Sequence, residues 1–482
     1  MRIAGICPQK LELDTKIQHA VGEPYGLEMI LAVAKQEGHD VDLFVPAKLD
    51  NGNISEISEQ EFVDNIVKYR PDVAAFSLYT AQYPAGKRIA SEIKKKLPKT
   101  KIVAGNRYPS FLKQGIENPF DFFVIKEGEQ TFRELLKSMK NGQKYEEIPG
   151  MTFMKDNERV FTGDRERNFE LDALPNALRF PIIMNQIYRG ISLPTLSSNP
   201  KYGIVESSRC CYNKCKFCDN SDYWGNKVAF RSAKRVVGEM KELKENGTDI
   251  FYFMDLNFTA FPNKTKELCE EMVKQDLNAS WYCMSNTATV DSELRKDKDF
   301  LKMMKESGCF KIAWGIESTS DAALKRMDKS VANEYTKTDL TQRVLQHSLD
   351  AGLLNQGFYI LGFPWETEES IVRDADKIKD IPMHILNIGV FTPIPLSRFY
   401  QEMNKEGYVF DPNLENHDRN TLVYNHKSLD NKKVKELQER IYYDFYASPE
   451  YHSRIKETCK IDPRFKQAFN EYFELTGKEV RV

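Results

Sequence analysis

At 482 residues the chain exceeds one ordinary hydrophobic core and calls for two or three domains. Its 69 Lys+Arg against 71 Asp+Glu leave a net charge of -2, which excludes an overall basic field for nucleic acid and an acidic tail. No apolar run reaches membrane-spanning length, and the nine cysteines, clustered once and otherwise scattered, do not form a secreted disulfide framework.

Met1-Arg2-Ile3-Ala4-Gly5-Ile6 runs straight into a strand pattern without signal-peptide architecture, so a reducing, cytoplasmic setting is expected. Strand and helix patterns then alternate over residues 1–140, which predicts an α/β domain with a Rossmann-like parallel sheet. Strands are expected at Arg2–Cys7, Val41–Val45, Asp72–Ser77, Lys101–Gly105 and Phe122–Ile125. Leu27, Ile30, Leu31 and Ala34 share one helical face that Gly38 ends; further helices are expected at Glu61–Tyr69, Ala85–Lys96 and Gln130–Lys140. Ligands of such sheets lie at the carboxyl ends of the strands. No G-x-G-x-x-G or G-x4-G-K-[ST] occurs, so a nicotinamide or nucleotide-phosphate site has no motif behind it.

This run of elements, with Gly38-His39-Asp40, Arg70-Pro71-Asp72, Ser77–Pro84, Ala104–Ser110 and Lys126–Thr131, resembles the cobalamin-binding domain that precedes many radical S-adenosylmethionine (radical SAM) domains. The resemblance implies cobalamin contacts from Ser77, Thr80, Gly105, Glu127 and Gly128. Two departures stand out. The D-x-H-x-x-G that supplies a histidine to cobalt is absent, since Asp14 and His19 are spaced wrongly. The family's usual pair of glycines reads Gly105-Asn106, and its usual histidine reads Tyr108. Asn106 tolerates a positive φ better than most residues. The rival reading is a vestigial domain that only carries the fold.

Residues 141–198 read as a connector, with a hairpin at Gly150–Met154 and Val160–Thr162 followed by Pro175, Pro181 and Pro194. Ile182–Ile191 is a candidate lining of a substrate cleft.

After a strand at Tyr202–Val205 comes Cys211-Tyr212-Asn213-Lys214-Cys215-Lys216-Phe217-Cys218, three thiols at spacing C-x3-C-x2-C. A cubane iron–sulfur cluster normally takes four thiolates, so three leave one iron open to an outside ligand. A structural zinc wants four protein ligands, typically from two separated C-x2-C pairs, and no second pair exists here. Cys210 is expected to be a bystander. From Lys201 to about 400, strand then helix repeats six times, with further strands expected at Ile250–Met254, Ser280–Met284, Lys311–Ile316, Gln356–Ile360 and Ile385–Phe391. Ser232, Asp291 or Ser292, Ser320 and Thr367 are expected helix starts. Six such units over 199–400 predict a partial (β/α)6 TIM-type barrel with its site at the C-terminal strand ends.

The cysteine spacing and order resemble those of the radical SAM enzymes, as do several strand-end motifs. The resemblance implies that Cys211, Cys215 and Cys218 hold a catalytic [4Fe-4S] cluster that cleaves SAM to a 5′-deoxyadenosyl radical. It places Phe217 beside the adenine and Asp255 at the methionine ammonium, the alternative for Asp255 being a helix cap. Gly315-Ile316-Glu317-Ser318 resembles the family's G-I-E-S, which puts Glu317 and Ser318 at the ribose or carboxylate of SAM. Lys329 sits where relatives also carry a lysine. Leu361–Thr367 resembles the adenine loop G-x-P-G-E-T with Trp365 for a glycine; Glu366 belongs to it or caps the next helix. Ser285-Asn286 stands where relatives often have an arginine.

Residues 401–482 form a helical C-terminal region, with amphipathic stretches at Leu429–Phe445 and Pro463–Thr476. Tyr442, Tyr443, Phe445, Tyr446, Phe469, Tyr472 and Phe473 are expected to pack on the barrel, a lid being the alternative. The implied function is a cobalamin-dependent methyltransferase acting on an unactivated carbon. It would be driven by an external low-potential donor of flavodoxin or ferredoxin type. The rivals are a corrinoid-containing cyclase, ring-contracting or C–C bond-forming enzyme, and a non-catalytic iron–sulfur or zinc sensor. No peptide-, lipid- or sugar-recognition signature is legible.

Overall fold

The computed structural model describes residues 1–8, 24–50, 53–113, 115–142, 144–181, 201–329, 337–462, 465–466 and 469–470. Asp14, His19, Ile182–Ile191, Tyr472 and Phe473 lie outside these. The chain divides into two compact units. One holds the described residues of Met1–Leu13 and His19–Gln186 together with Pro412–His417; the other holds those of Ile187–Asp411 and Asp418–Val482.

The first unit is a seven-stranded sheet with helices on both faces. Its strands are β1 (Arg2–Ile6), β2 (Asp40–Phe44), β5 (Val73–Ser77), β6 (Lys101–Gly105), β7 (Phe122–Val124), β8 (Met151–Lys155) and β9 (Glu158–Phe161), in the order β2-β1-β5-β6-β7-β8-β9. A separate hairpin, β3 (Ala47–Asp50) and β4 (Asn53–Glu56), was not foreseen from the sequence. The first five strands of the sheet run parallel. Helices α1 (Tyr25–Gln36) and α5 (Glu129–Asn141) bury Leu27, Leu31, Phe132 and Leu135 on one face. Helices α2 (Glu59–Tyr69) and α3 (Tyr83–Lys96) bury Phe62, Ile66, Ile89 and Ile93 on the other. A short α4 (Arg107–Phe111) follows β6. Burial from both sides explains the near-continuous apolar strands. The hairpin assigned to the connector belongs instead to this sheet: β8 pairs antiparallel with β7, Phe153 opposite Phe122, because the edge of β7 offers unpaired backbone groups. The strand order reverses between β1 and β5, which places the ligand crevice at the exits of β1, β5 and β6.

The second unit holds six parallel strands in sequence order: β10 (Tyr202–Val205), β13 (Ile250–Phe253), β14 (Ser280–Ser285), β15 (Cys309–Glu317), β16 (Leu354–Leu361) and β17 (Ile385–Val390). A small hairpin of β11 (Ser208–Arg209) and β12 (Ala229–Phe230) stands beside it. The helices are α6 (Asn220–Trp224), α7 (Ala233–Glu245), α8 (Pro262–Lys274), α9 (Thr287–Leu294), α10 (Phe300–Glu306), α11 (Asp321–Arg326), α12 (Lys337–Asp350), α13 (Glu368–Asp376), α14 (Arg398–Lys405), α15 (Asn431–Tyr446) and α16 (Pro449–Ile461). Ser232, Ser320 and Thr367 cap α7, α11 and α13 with their hydroxyls, as the sequence predicts. One expectation fails. The helix predicted to start at Asp291 or Ser292 and run to Gly308 is two helices, and its cap is Asn286, which accepts from Ala288 N at 2.8 Å. Asp291 pairs instead with Arg295 and Arg343.

The sheet is open: among the described residues β10 and β17 are its two edges. The C-terminal helices cover β17. Leu386 N donates to the Tyr446 hydroxyl at 3.1 Å and Ile388 N to that of Tyr442 at 2.9 Å, while the Tyr451 hydroxyl donates to His384 O at 3.0 Å. Tyr442 and Tyr446 therefore pack on the barrel as expected and satisfy an edge strand that would otherwise invite foreign pairing. Tyr443, expected to pack there too, is 73% exposed, because the next position along α15 turns away from the face that Tyr442 presents.

Gly308 turns the chain from α10 into β15 at φ +104, and a Cβ there would lie 2.0 Å from Ala279 O. Gly308→Ala is expected to cost at least about 1–3 kcal/mol through backbone strain alone. Denaturant unfolding reads this directly, and a loss under 1 kcal/mol contradicts it.

Candidate functional site

The cysteine loop leaves β11 at the C-terminal face of the barrel, and three neighbours hold its backbone. Lys216 N donates to Met327 O at 2.8 Å, at the end of α11, and Phe399 N donates to Lys216 O at 2.9 Å. Arg398 donates to Lys214 O. Within the loop Cys218 N donates to Cys215 O at 3.1 Å. Cys215 is buried, while Cys211 and Cys218 are half-buried. Burial pushes the Cys211 thiol up; hydrogen bonds from Asn213 and the nearby Lys329 ammonium pull the other way. Asn220 Nδ2 donates to Cys218 Sγ at 2.9 Å.

Cys210 stands apart. It is buried at φ +91, and its thiol donates to Gly225 O at 3.1 Å. That conformation turns its side chain toward the turn after α6, which agrees with its expected bystander role.

Glu317 ends β15 at φ +65 and meets Lys329 Nζ at 2.9 Å, both almost fully buried. Burial lowers the Lys329 ammonium, but Glu317 and the charges of Cys215 and Cys211 outweigh it and leave the group raised. The same ammonium lies 5.9 Å from the centre of the Phe217 ring. Cys211, Cys215, Phe217, Glu317 and Lys329 are thus one neighbourhood, drawn from a loop, a strand end and a helix end. Ser318, buried beside Glu317, accepts from Ser320 N at 3.1 Å.

Two carboxylates serve the loops around this centre. Asp255 follows β13 as predicted and is wholly buried. It is no helix cap; its oxygens accept from Ser207 N at 3.0 Å, Ser207 Oγ at 2.6 Å and Ser208 Oγ at 2.5 Å. Burial raises its pKa and these bonds oppose the rise. Asp255 therefore fixes the chain between β10 and the cysteines. Glu366 likewise caps no helix, since Thr367 does that. Its Oε2 accepts from Gly362 N at 2.7 Å and Phe363 N at 3.0 Å, closing the β16 exit on itself. Trp365, in place of the family's glycine, stacks on Phe363 at 4.8 Å beneath the Arg326 guanidinium at 5.4 Å.

The sequence missed the braces on that exit. Tyr424 donates to Gly362 O, His426 Nε2 donates to Phe363 O at 2.9 Å, and Ser428 Oγ donates to Glu366 O at 3.1 Å. The donor assignment for His426 follows from Nδ1, which accepts from Ser428 N at 3.1 Å and Leu429 N at 3.0 Å. No local pattern flags these residues, because their partners are main-chain atoms about 60 positions away.

In the first unit Ser77, Thr80 and Gly105 lie at the β5 and β6 exits, whereas Glu127 and Gly128 follow β7. Ser77 lies opposite Gly105 in register, and Asn106 Nδ2 donates to Ser77 Oγ at 2.9 Å. Asn106 takes φ +84, so it holds the turn that a glycine would. Thr80 is buried at the start of the 3-10 turn Thr80–Gln82. Glu127 Oε2 accepts from Asn168 N at 3.2 Å. Gly128 precedes α5, and a Cβ there would press Ile30 at 3.1 Å and Val124 at 3.2 Å.

These sites fit the implied groups. Among the described residues no three His, Cys, Asp or Glu side chains gather round a metal position; the donor set itself, three thiols in one loop, is the one that a cubane with an open iron takes. The backbone-held loop with a buried cation beside it suits thiolates. Hydroxyls at Ser77 and Thr80 and the absence of a side chain at Gly105 suit a large planar cofactor on the strand ends.

The B12 binding domain family matches residues 19–136, and the Radical SAM superfamily matches residues 205–378. An uncharacterized methyltransferase from Pyrococcus horikoshii is 23% identical over 453 residues, 93% of each chain. An anaerobic magnesium-protoporphyrin IX monomethyl ester cyclase from Rubrivivax gelatinosus is 25% identical over 399 residues, 80% of this chain and 67% of its own. Among solved structures, the radical SAM methyltransferase TsrM from Kitasatospora setae, with tryptophan substrate and a SAM analogue bound, overlays with TM-score 0.69. The match covers 99% of this chain and 98% of that one at 14% identity, a likeness of fold.

Burial, against two backbone hydrogen bonds, pushes Glu366 up from its ordinary 4.5 to about 7. The folded state therefore holds this proton more tightly than the unfolded state. Its stabilisation is full below about pH 4.5 and is lost as pH rises toward about 7. Thermal midpoints of the parent chain are expected to fall more steeply across that window than those of Glu366→Gln. Parallel curves contradict the assignment.

Proposed function

We propose that this chain, a cobalamin-dependent radical SAM enzyme by its two matched domains, is a methyltransferase acting on an unactivated carbon. The observation that carries the reading is the joining in one chain of a B12 binding domain and a barrel whose first strand end bears C-x3-C-x2-C. A carbon that is not nucleophilic has to be activated as a radical before it can take a methyl group, which gives both domains a task. The Pyrococcus relative named a methyltransferase, matched over nearly its whole length, supports the same choice.

Cys211, Cys215 and Cys218 would hold a [4Fe-4S] cluster, and Ser77, Thr80, Gly105, Glu127 and Gly128 would hold cobalamin. When bound, the cluster and SAM supply a 5′-deoxyadenosyl radical and cobalamin supplies a transferable methyl group. The chain's part is to position and to shield. Lys329 favours the thiolate forms of Cys211 and Cys215. Asp255 fixes Ser207 and Ser208, and with them the approach to the loop. Glu317 and Ser318 stand ready at the β15 exit for the polar end of SAM, and Phe217 for its adenine. Glu366 acts through the shape of the β16 exit. The stacked rings of Phe363, Trp365 and Phe391, with Phe399 tilted against Trp365, keep water from that side.

The likeness to a magnesium-protoporphyrin cyclase favours a second reading, corrinoid-dependent radical chemistry without methyl transfer. Products separate the two. With its true substrate, the methyltransferase releases S-adenosylhomocysteine together with 5′-deoxyadenosine; turnover without S-adenosylhomocysteine sinks the methylation reading. For the ligands, Cys215→Ala is expected to lose the iron–sulfur chromophore after anaerobic reconstitution, whereas Cys210→Ala keeps it. Iron and sulfide analysis checks this, and a normal cluster in Cys215→Ala overturns the assignment.

A further inference from the structure

The three thiols of the cysteine loop are not served alike. The Lys329 ammonium bears on Cys215 and Cys211, and Asn213 bonds to Cys211. Cys218 is served by Asn220, two positions on, whose Nδ2 donates to Sγ at 2.9 Å. The sense of that bond follows from its chemistry. A thiolate that binds a metal can only accept, and of the two ends of a carboxamide only Nδ2 carries hydrogens. Asn220 therefore presents its N–H, not its carbonyl, to the sulfur.

The chain keeps the amide in place. Asn220 is the first residue of α6. The turn into that helix is closed by Asp222 N and Tyr223 N, which donate to Asp219 O at 3.2 Å and 2.9 Å. At the other end Gly225 takes φ +76, and its N donates to Ser221 O at 3.0 Å. The Gly225 carbonyl accepts from the Cys210 thiol at 3.1 Å, which gives the bystander thiol a task. Tyr223 is buried and meets Trp224 edge-on at 4.9 Å, with the Arg209 guanidinium 5.9 Å from the Trp224 ring centre. Asn220 thus stands on a segment tied at both ends, so its N–H is aimed before any metal arrives.

Reducing a [4Fe-4S] centre adds one negative charge, shared among irons, sulfides and thiolate sulfurs. A fixed N–H dipole aimed at one of those sulfurs stabilises the added charge, and hydrogen bonds to sulfur are among the features that set such potentials. We propose that Asn220, acting through Cys218, raises the reduction potential of the cluster and so eases entry of the electron that SAM cleavage consumes. The proposal rests on the reading of Cys211, Cys215 and Cys218 as cluster ligands. The step it governs moves one electron: an external one-electron reductant is oxidised, the cluster is reduced, and no covalent bond forms or breaks at Asn220.

The test reads the midpoint potential itself. The full parent chain, Asn220→Leu, Asn220→Asp and Asn220→Gln are reconstituted without oxygen and titrated with titanium(III) citrate. Electron paramagnetic resonance follows the reduced cluster, and iron and sulfide are counted in the same samples. Leucine keeps the shape and loses the donor. Its reduction equilibrium is expected to fall about tenfold, which for one electron is about 59 mV, at parent iron and sulfide. Asn220→Asp sets a carboxylate against the sulfur and falls at least as far. Asn220→Gln restores the amide one carbon further out and recovers part of the shift. A residue that only held the loop would lose iron and leave the midpoint where it was. Where Asn220→Leu takes up less iron, Asn220→Asp, of the same size and still polar, supplies the midpoint. Parent midpoints in both of these variants overturn the proposal, and so does Asn220→Gln lying no closer to the parent than Asn220→Leu. A parent chain that takes up no iron and sulfide overturns the ligand reading itself; a loaded parent whose midpoint the variants share overturns the part given to Asn220 alone.

Discussion

The strand-end face is assembled around the buried ion pair of Glu317 and Lys329. A Cβ on Gly315 would come within 2.7 Å of Glu317 Oε1 and 2.8 Å of Lys329 Nζ, so the glycine of the G-I-E-S run is there to admit the pair. Lys329 in turn follows α11, whose end supplies Met327 O to the cysteine loop. One ammonium thus joins the β15 exit, a helix end and two thiols. Such a pair adds little net stability over an apolar substitute, but removing one member leaves a buried charge at a cost of about 3–5 kcal/mol. Its worth lies in fixing where a positive charge stands beside sulfur.

The other acidic residues at this face show how one sequence signal covers several jobs. Asp255, Glu317 and Glu366 each follow an apolar strand. In sequence each reads as a carboxylate aimed at a ligand. Asp255 spends its oxygens on Ser207 and Ser208, Glu366 on two amides of its own loop, and Glu317 on a lysine. Burial makes each such bond necessary, because an unpaired carboxylate inside would be costly.

The parallel order of both sheets was legible because strands covered on two faces are apolar throughout and helices between them declare their ends through Ser232, Ser320 and Thr367. The three thiols were legible because their spacing alone restricts the metal chemistry open to them. What escaped depends on pairings far apart in the chain. The β8–β9 hairpin looks like any hairpin until the edge of β7 is seen. Asn286 as a cap is hidden behind Asp291, a better-looking candidate five residues further on that is taken up by Arg295 and Arg343. Tyr424, His426 and Ser428 bind backbone oxygens, which have no side-chain identity for a sequence pattern to register.

The open sheet carries a consequence for how such a barrel changes over time. Its last strand is sealed by phenols from Tyr442 and Tyr446 on α15, not by a ladder to the first strand. A backbone ladder is quantised: strands pair at a fixed spacing or not at all. A seam closed by side chains has no such step. Lengthening or shortening two side chains, or shifting one helix, re-gauges the mouth without breaking a single bond between strands. The same catalytic loop can then be kept while the width beside it drifts, which is a route by which one scaffold comes to serve molecules of very different size.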